Sequence, residues 1–375
     1  MPDGQSLLDE TLESIHTEIP ELKLMLEDMK KVPAVYQPTH FWIHCLKEIV
    51  DDLEKSGHHT FKTHPSALKY YVKSCADMLY LAQKGAVESI CQNLSQVKGT
   101  IFEDIQVDLG LDKAYKASVD GCARYEADYR VFRASDIEGE EPIIEDVSES
   151  AYGTPAEVFN VDGYSYSPTM LKYLRMVTFL KKYGTPKNVQ NVMEIGAGYG
   201  VLGEIFLKAK PEKYFYLNVD IPPLAHVSSE YLKKVFGADQ VAGYAETRDL
   251  DSIDIDNLKK KYRAVVICPW QLPLVKGQFE LCVNSTSFQE MEPEVLENYA
   301  IHIDRLVSHY LLLRNARYGK TLAKTEKDIG VKNRILKEDY LKVFDKFGLI
   351  KSDSRTFGFC HKKFNADLML LERKA

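Results

Sequence analysis

The chain contains no run approaching the ~20 consecutive apolar residues that cross a bilayer. It also has no C-x-x-C pair, no internal repeat and no low-complexity tract. Each absence excludes a class. Without a long apolar run, no membrane association is expected. The start, "MPDGQSLLDE", is acidic and lacks the basic stretch and apolar core of a secretory signal, so a cytoplasmic protein is expected. Seven cysteines (Cys45, Cys75, Cys91, Cys122, Cys268, Cys282, Cys360) follow no regular framework, and their odd number points to reduced, mostly buried thiols. Positive charge is also in deficit. Lys and Arg number 48 against 55 Asp and Glu, a formal net charge of -7, whereas nucleic-acid partners select for clustered Lys and Arg. No nucleic-acid partner is expected. What is present is the balance of a soluble globular protein, 45% apolar and 27% charged, over 375 residues that suit one large or two ordinary domains.

Residues 1 to about 130 read as helices. "SLLDETLESIHTEIPELKLMLEDM", "FWIHCLKEIVDDLEKSG" and "PSALKYYVKSCADMLYLAQKGAVESI" place apolar residues three and four apart. The acidic stretch "SDIEGEEPIIEDVSES", with Gly139 and Pro142, breaks that pattern and reads as a solvated linker, putting a domain boundary near 150. Beyond it, short apolar strands alternate with helical segments: "NVMEI", "VLGEIFLKA", "YFYLNVD", "LAHVSSEYLKKVF", "AVVICPW", "FELCVNS", "PEVLENYAIHIDRLV" and "HYLLLR". A helix at "KEDYLKVFDKFG" and the pair "SDSRTFGFC" and "ADLMLLER" close the chain. Such alternation predicts an α/β domain over 151–375, a mostly parallel sheet with helices on both faces, preceded by a helical domain over 1–150.

The first strand of that domain ends in "NVMEIGAGYG", one carboxylate followed by three glycines at alternate positions. Glycines there let the backbone approach a ligand closely, and the next helix turns its N-terminal amides toward it. Two registers compete. Gly198, Gly200 and Gly203, with Asp220 further on, satisfy the dinucleotide pattern G-x-G-x-x-G. Glu194, Gly196, Gly198 and Gly200 satisfy E-x-G-x-G-x-G, which resembles the first motif of the class I S-adenosylmethionine-dependent methyltransferases. Electrostatics favours the second. A pyrophosphate beside Glu194 would be repelled, whereas S-adenosyl-L-methionine brings a sulfonium and an ammonium.

On this resemblance, Glu194 holds the methionine amino end, and the turn of Gly196, Gly198, Tyr199 and Gly200 admits the methionine moiety. Asp220, ending "YFYLNVDIPP", accepts from both ribose hydroxyls, and Ile221 flanks the adenine. Trp270 and Gln271, after "AVVIC", face the adenine or serve as core and surface residues.

Three segments narrow the resemblance. "VMEIGAGYGVLG", "LNVDIPPLAHVSSEYLKKVFG" and "FELCVNSTSFQEMEPEVLENYAIHIDRL" together look like the sugar O-methyltransferase family of bacterial polysaccharide and natural-product gene clusters, over about residues 160–372. The segment Asn284–Met291 is the most specific part. The resemblance implies a Rossmann-like class I methyltransferase fold, S-adenosyl-L-methionine as cofactor and a small-molecule acceptor, a sugar derivative.

Methyl transfer to a hydroxyl is an in-line displacement that needs alignment and a proton acceptor. "NSTSFQEM" follows the fourth strand, and ligands of open α/β sheets sit beyond the carboxyl ends of strands. Glu290 is the first candidate base, with Gln289 orienting the acceptor and Asn284 and Ser285 lining the cofactor; alternatively, Glu290 caps the helix that follows. His361, between the two closing strands, is the second candidate. His226, nearer the cofactor, and His302, inside a helix, rank lower. Tyr164 and Tyr166 of "GYSYSPTMLKYLRMVTFL" either close over the cofactor or pack. His40 and His44, at i and i+4, and "HHTFKTH" lack an evident third ligand, so no metal is expected. The N-terminal helices are expected to supply a homodimer surface or a wall of the acceptor pocket. Competing readings are a methyltransferase for a phenolic, amine or carboxylate metabolite, an inactive methyltransferase-like module, and a nicotinamide enzyme.

Overall fold

The computed structural model describes residues 3–72, 122–353 and 366–374. The N-terminal helices are α1 (Asp3–Glu13), α2 (Pro20–Met29), α3 (His40–Ser56), α4 (Pro65–Tyr70) and α5 (Cys122–Ser135). Residue α3 Cys45 and its neighbours Leu46, Ile49, Val50 and Leu53 recur at helical spacing and are buried, and Gly57 with φ of 72° ends the helix. The expected helix "PSALKYYVKSCADMLYLAQKGAVESI" is described only as far as Val72; the remainder lies outside the described residues.

A hairpin, β1 (Phe159–Val161) and β2 (Tyr164–Tyr166), leads to α6 (Pro168–Tyr183). Ser167 caps α6, its hydroxyl accepting from the Met170 amide, with Pro168 in the first turn. Met170, Leu171, Leu174, Val177 and Leu180 line the buried stripe of α6, and each stabilises the fold by about 1.5–3 kcal/mol.

The sheet strands are β3 (Asn191–Ile195), β4 (Phe215–Val219), β5 (Val241–Ala242), β7 (Ala264–Ile267), β9 (Phe279–Ser285), β10 (Val307–Ala316), β11 (Phe347–Asp353) and β12 (Ala366–Arg373). A separate two-stranded pair joins β6 (Ile253–Asp254) to β8 (Val275–Lys276). Between the strands run α7 (Val201–Ala209), α8 (Leu224–Phe236), the short α9 (Tyr244–Thr247) and α10 (Ile255–Leu258), α11 (Pro293–Leu306) and α12 (Lys337–Val343).

The order across the sheet is β5, β7, β4, β3, β9, β10, β12, β11. The first six are parallel and β12 is antiparallel to both its neighbours. Every residue of β3 and β4 is buried, as strands covered on both faces require. Val192 and Tyr216 pack on one side of the sheet, Met193 and Leu217 on the other. The chain leaves β3 toward β4 and β7, then returns to β9 on the opposite side of β3. That reversal makes the switch point of a doubly wound, Rossmann-like sheet, as the sequence implies; in such sheets ligands bind in the crevice beyond the carboxyl ends of the strands, here β3, β4 and β9.

One expectation is corrected. The acidic stretch is not a solvated linker but a strap bound to the sheet domain: Lys181 Nζ lies 2.6 Å from Asp136, Glu141 pairs with Lys210 and Lys213, and Ile144, Val147 and Glu149 are buried. Its carboxylates meet lysines whose spacing in the sequence gave no sign of the pairing. Cys45, Cys268 and Cys282 are free and buried. Among the described residues no helix is long and apolar enough to cross a membrane.

Candidate functional site

The turn after β3 is built on Gly196, Gly198 and Gly200, with φ of 70°, 60° and 89°, values that residues with a Cβ rarely adopt. Gly196 is fixed by a neighbour as well, because a Cβ there would lie 1.9 Å from Ser287 Oγ. Asp220, just beyond β4, braces the turn: one carboxylate oxygen accepts from the Gly198 amide and the other from the Ile221 amide, both at 2.8 Å. Asp220 is 6% exposed, and burial pushes its carboxyl up to about 7 against those two amides, with the Glu290 charge adding to the rise.

Glu194 is fully buried beside it. The Tyr216 hydroxyl donates to its Oε2 at 2.5 Å. Burial raises the carboxyl to about 7, while the hydroxyls of Tyr216 and Tyr173 pull it down. Glu194 Oε1 and Ser285 Oγ are buried and make no full hydrogen bond, with the Tyr173 hydroxyl facing both residues, which leaves acceptor capacity there for a ligand or water. Tyr173, on α6, and Tyr216 are site residues that the motif did not reveal. Strand alternation puts Tyr216 on the face of Glu194, so that one was accessible to pattern reading; Tyr173 was not.

The segment after β9 is tightly tied down. Asn284 Nδ2 donates to the Ile195 carbonyl at 2.8 Å and to Ser287 Oγ at 2.6 Å, and its Oδ1 accepts from the Phe288 amide and Asn315 Nδ2. Asn284 therefore clamps the ends of β3, β9 and β10 together. Thr286 has φ of 74°, a strained conformation for a β-branched residue that costs on the order of 1–3 kcal/mol and clusters at functional sites. Gln289 Oε1 accepts from the Ala316 amide at 2.5 Å, which fixes its side chain against β10. Glu290 is 7% exposed and its Oε1 accepts from Lys320 Nζ at 2.5 Å. The capping alternative for Glu290 does not hold. The residue at the start of α11 is Glu292, whose carboxylate accepts from the Lys332 and Asn333 amides instead.

Further along the crevice, Trp270 Nε1 donates to the Tyr244 hydroxyl at 3.2 Å. Gln271 is buried, its Oε1 accepting from the Cys268 amide and its Nε2 donating to Thr247, so it secures its own turn. Tyr199 is buried and donates to Glu149 at 3.3 Å, and Ile221 is half-buried. Tyr166 packs among Tyr129 and Phe132, and the Tyr164 hydroxyl donates to Asp146 at 2.5 Å. Both tyrosines thus make the packing contacts of the second reading. His361 lies outside the described residues.

No protein-family model and no curated protein matches the chain. Among solved structures, it is similar to magnesium protoporphyrin IX methyltransferase from Synechocystis PCC 6803 with bound SAH, at 13% identity over 55% of this chain and 83% of that one, with a TM-score of 0.37. It is also similar to the pyocyanin biosynthetic protein PhzM (10% identity, 55% and 58% covered, TM-score 0.34) and to the mitomycin 7-O-methyltransferase MmcR (12%, 55% and 57%, 0.33). Likeness at this level carries no argument about activity or substrate.

The helical N-terminal region lies across the carboxyl edge of the sheet. Glu21 meets His226 Nδ1 at 2.9 Å, Asp28 meets Tyr244 and Arg248, Tyr36 meets His302 Nε2 at 2.9 Å, Thr39 donates to the Glu290 carbonyl, and Tyr71 stands 4.0 Å from the Cβ position of Gly198. His226 and His302 thus join the two regions. A fully buried Lys62 anchors the roof from behind, with Nζ 2.7 Å from Glu149 and 3.2 Å from the Tyr231 hydroxyl. Lys320 and Lys62, like Tyr71, carry no local sequence signal, since their partners are far along the chain.

Proposed function

We propose that this protein transfers the methyl group of S-adenosyl-L-methionine to a hydroxyl of a sugar or sugar-bearing small molecule. The observation that carries the proposal is the pair of buried carboxylates, Glu194 and Asp220, flanking a glycine turn at the switch point. A pyrophosphate would add negative charge between two carboxylates, whereas an ammonium and a diol suit them. The residues fit the cofactor: the unpartnered Oε1 of Glu194 suits the ammonium, Asp220 the ribose hydroxyls, Ile221 and Trp270 the adenine, and the unpartnered Ser285 hydroxyl the methionine end.

When bound, the cofactor supplies an electrophilic methyl on a sulfonium. The chain has to hold the acceptor oxygen in line with the carbon–sulfur bond that breaks, keep water out, and take the hydroxyl proton as the carbon–oxygen bond forms. The buried roof residues suit water exclusion, and the Glu290 carboxylate is assigned to the proton. Similarity of Asn284–Met291 to the sugar O-methyltransferases supports the acceptor class.

One observation favours a second acceptor class. Lys320 Nζ sits 2.5 Å from Glu290 Oε1 and occupies that carboxylate oxygen, an arrangement that suits an acceptor that ionises unaided, such as a phenol, amine or carboxylate. Calorimetry with S-adenosylmethionine, its demethylated product and NAD tests the cofactor; binding of NAD alone, or of none, removes the proposal. Labelled methyl transfer to candidate acceptors then separates the two classes. Glu290→Gln is expected to lower kcat about 10²–10⁴-fold for a hydroxyl acceptor with cofactor affinity intact, and to leave an acidic acceptor nearly unaffected.

A further inference from the structure

We propose that His40 and His44, completed by Glu326, form a site for a divalent transition-metal ion of the zinc class. The α3 helix sets the two histidines one turn apart, with ring centroids 4.8 Å from each other and planes at 72°. His40 is 5% exposed, and its Nδ1 lies 3.1 Å from the Gly330 carbonyl oxygen. A carbonyl only accepts, so Nδ1 carries a proton and, in the neutral ring, the lone pair is at Nε2. A backbone carbonyl on one imidazole nitrogen is the usual way to orient the other toward a metal.

Both Nε2 atoms are buried and make no hydrogen bond. Leaving two such groups bare is costly, and one cation would serve both. Glu326 Oε2 stands 3.4 Å from His40 Nε2. That is long for a hydrogen bond and close to the ~3.3 Å edge of a tetrahedral shell with bonds of about 2.0–2.1 Å. Asp328 is committed to the Lys324 and Thr325 amides, which leaves Glu326 as the acidic ligand. Among the described residues no three such side chains are already gathered about one point. Glu326, half exposed and shared with Lys332 at 3.1 Å, is the one that must turn inward, with water completing the shell. The ion would pin the segment carrying Lys320 and Glu326 onto α3, independently of methyl transfer.

The test is titration of the tag-free, chelator-stripped full chain with Co(II). One equivalent is expected to give the visible absorption of a four-coordinate site and to raise Tm. Loss of an outer-shell partner of a metal costs about 10–100-fold in affinity, and His40→Gln and His44→Gln are each expected to exceed that, with Glu326→Gln weakening binding less. Should the His40 variant fail to fold, the half-buried His44 decides. No stoichiometric absorption at neutral pH, or affinity unchanged in the His44 variant, overturns the site and leaves His40 and Glu326 as a contact between α3 and the segment that carries Glu326.

Discussion

The two acidic ends of the crevice reach the same ionisation state by different means. Glu194, within β3, is held by side-chain hydroxyls, and Asp220, beyond β4, by backbone amides, yet burial pushes both to about 7. Hydroxyls are replaceable by mutation and amides are not, so Asp220 fixes the shape of the glycine turn while Glu194 mainly supplies charge. The proposed ligand roles follow the same contrast: the bracing carboxylate is the one proposed for the diol, and the one with an unpartnered oxygen the one proposed for the ammonium.

The largest break in that comparison is expected from Asp220→Ala. It removes the acceptors of the Gly198 and Ile221 amides and, on the proposed reading, two charge-assisted hydrogen bonds to the ribose, each worth about 1.5–3 kcal/mol. Calorimetry should show cofactor affinity at least ~100-fold lower; a Kd within threefold of the parent would remove Asp220 from the site.

Stability against pH reports both ends at once. Each carboxyl binds its proton more tightly in the folded chain than at its ordinary value of 4.5 for Glu194 or 3.8 for Asp220. The folded state therefore holds more protons, and the contribution of these groups is most favourable below those ordinary values. It falls as pH climbs toward about 7 and levels off above, by on the order of 3 kcal/mol for Glu194 and on the order of 4 kcal/mol for Asp220. Denaturant unfolding of Glu194→Gln should show a flatter decline between pH 5 and 7, on an axis scaled by ~1.4 kcal/mol per unit. The same substitution keeps the volume and removes the charge, so cofactor affinity should drop about tenfold, less than for Asp220→Ala.

What the sequence disclosed follows the same division. Periodicity and the glycine spacing located β3, α7, β4 and β9 and the two carboxylates, because strand ends and tight turns are local features. The strap over 136–150 escaped, and of the N-terminal helices only a wall of the acceptor pocket or a dimer surface was legible and not their contacts, because Lys62 finds Glu149, and Thr39 finds Glu290, only in three dimensions. Asn284 and Gln271 were singled out as site residues by motif and place, and the structure adds that their amides secure the strand ends, a duty no spacing announces.

The smallest effect tests the comparison most finely. Tyr216→Phe removes a hydroxyl that stabilises the charged form of Glu194 and leaves the amides on Asp220 untouched. A hydrogen bond to a charged group is worth about 1.5–3 kcal/mol, and 1.36 kcal/mol is one pKa unit, so the Glu194 carboxyl should rise by about one to two units. An ammonium prefers the ionised carboxylate, so the pH at which cofactor affinity is half lost on acidification should move up by the same amount. Asp220 titrates in the same range, and the background Glu194→Gln separates the two. In that background the Tyr216→Phe shift has to vanish; if it persists, the hydroxyl acts on the crevice by some path other than Glu194, and the division between hydroxyl-held and amide-held carboxylates fails.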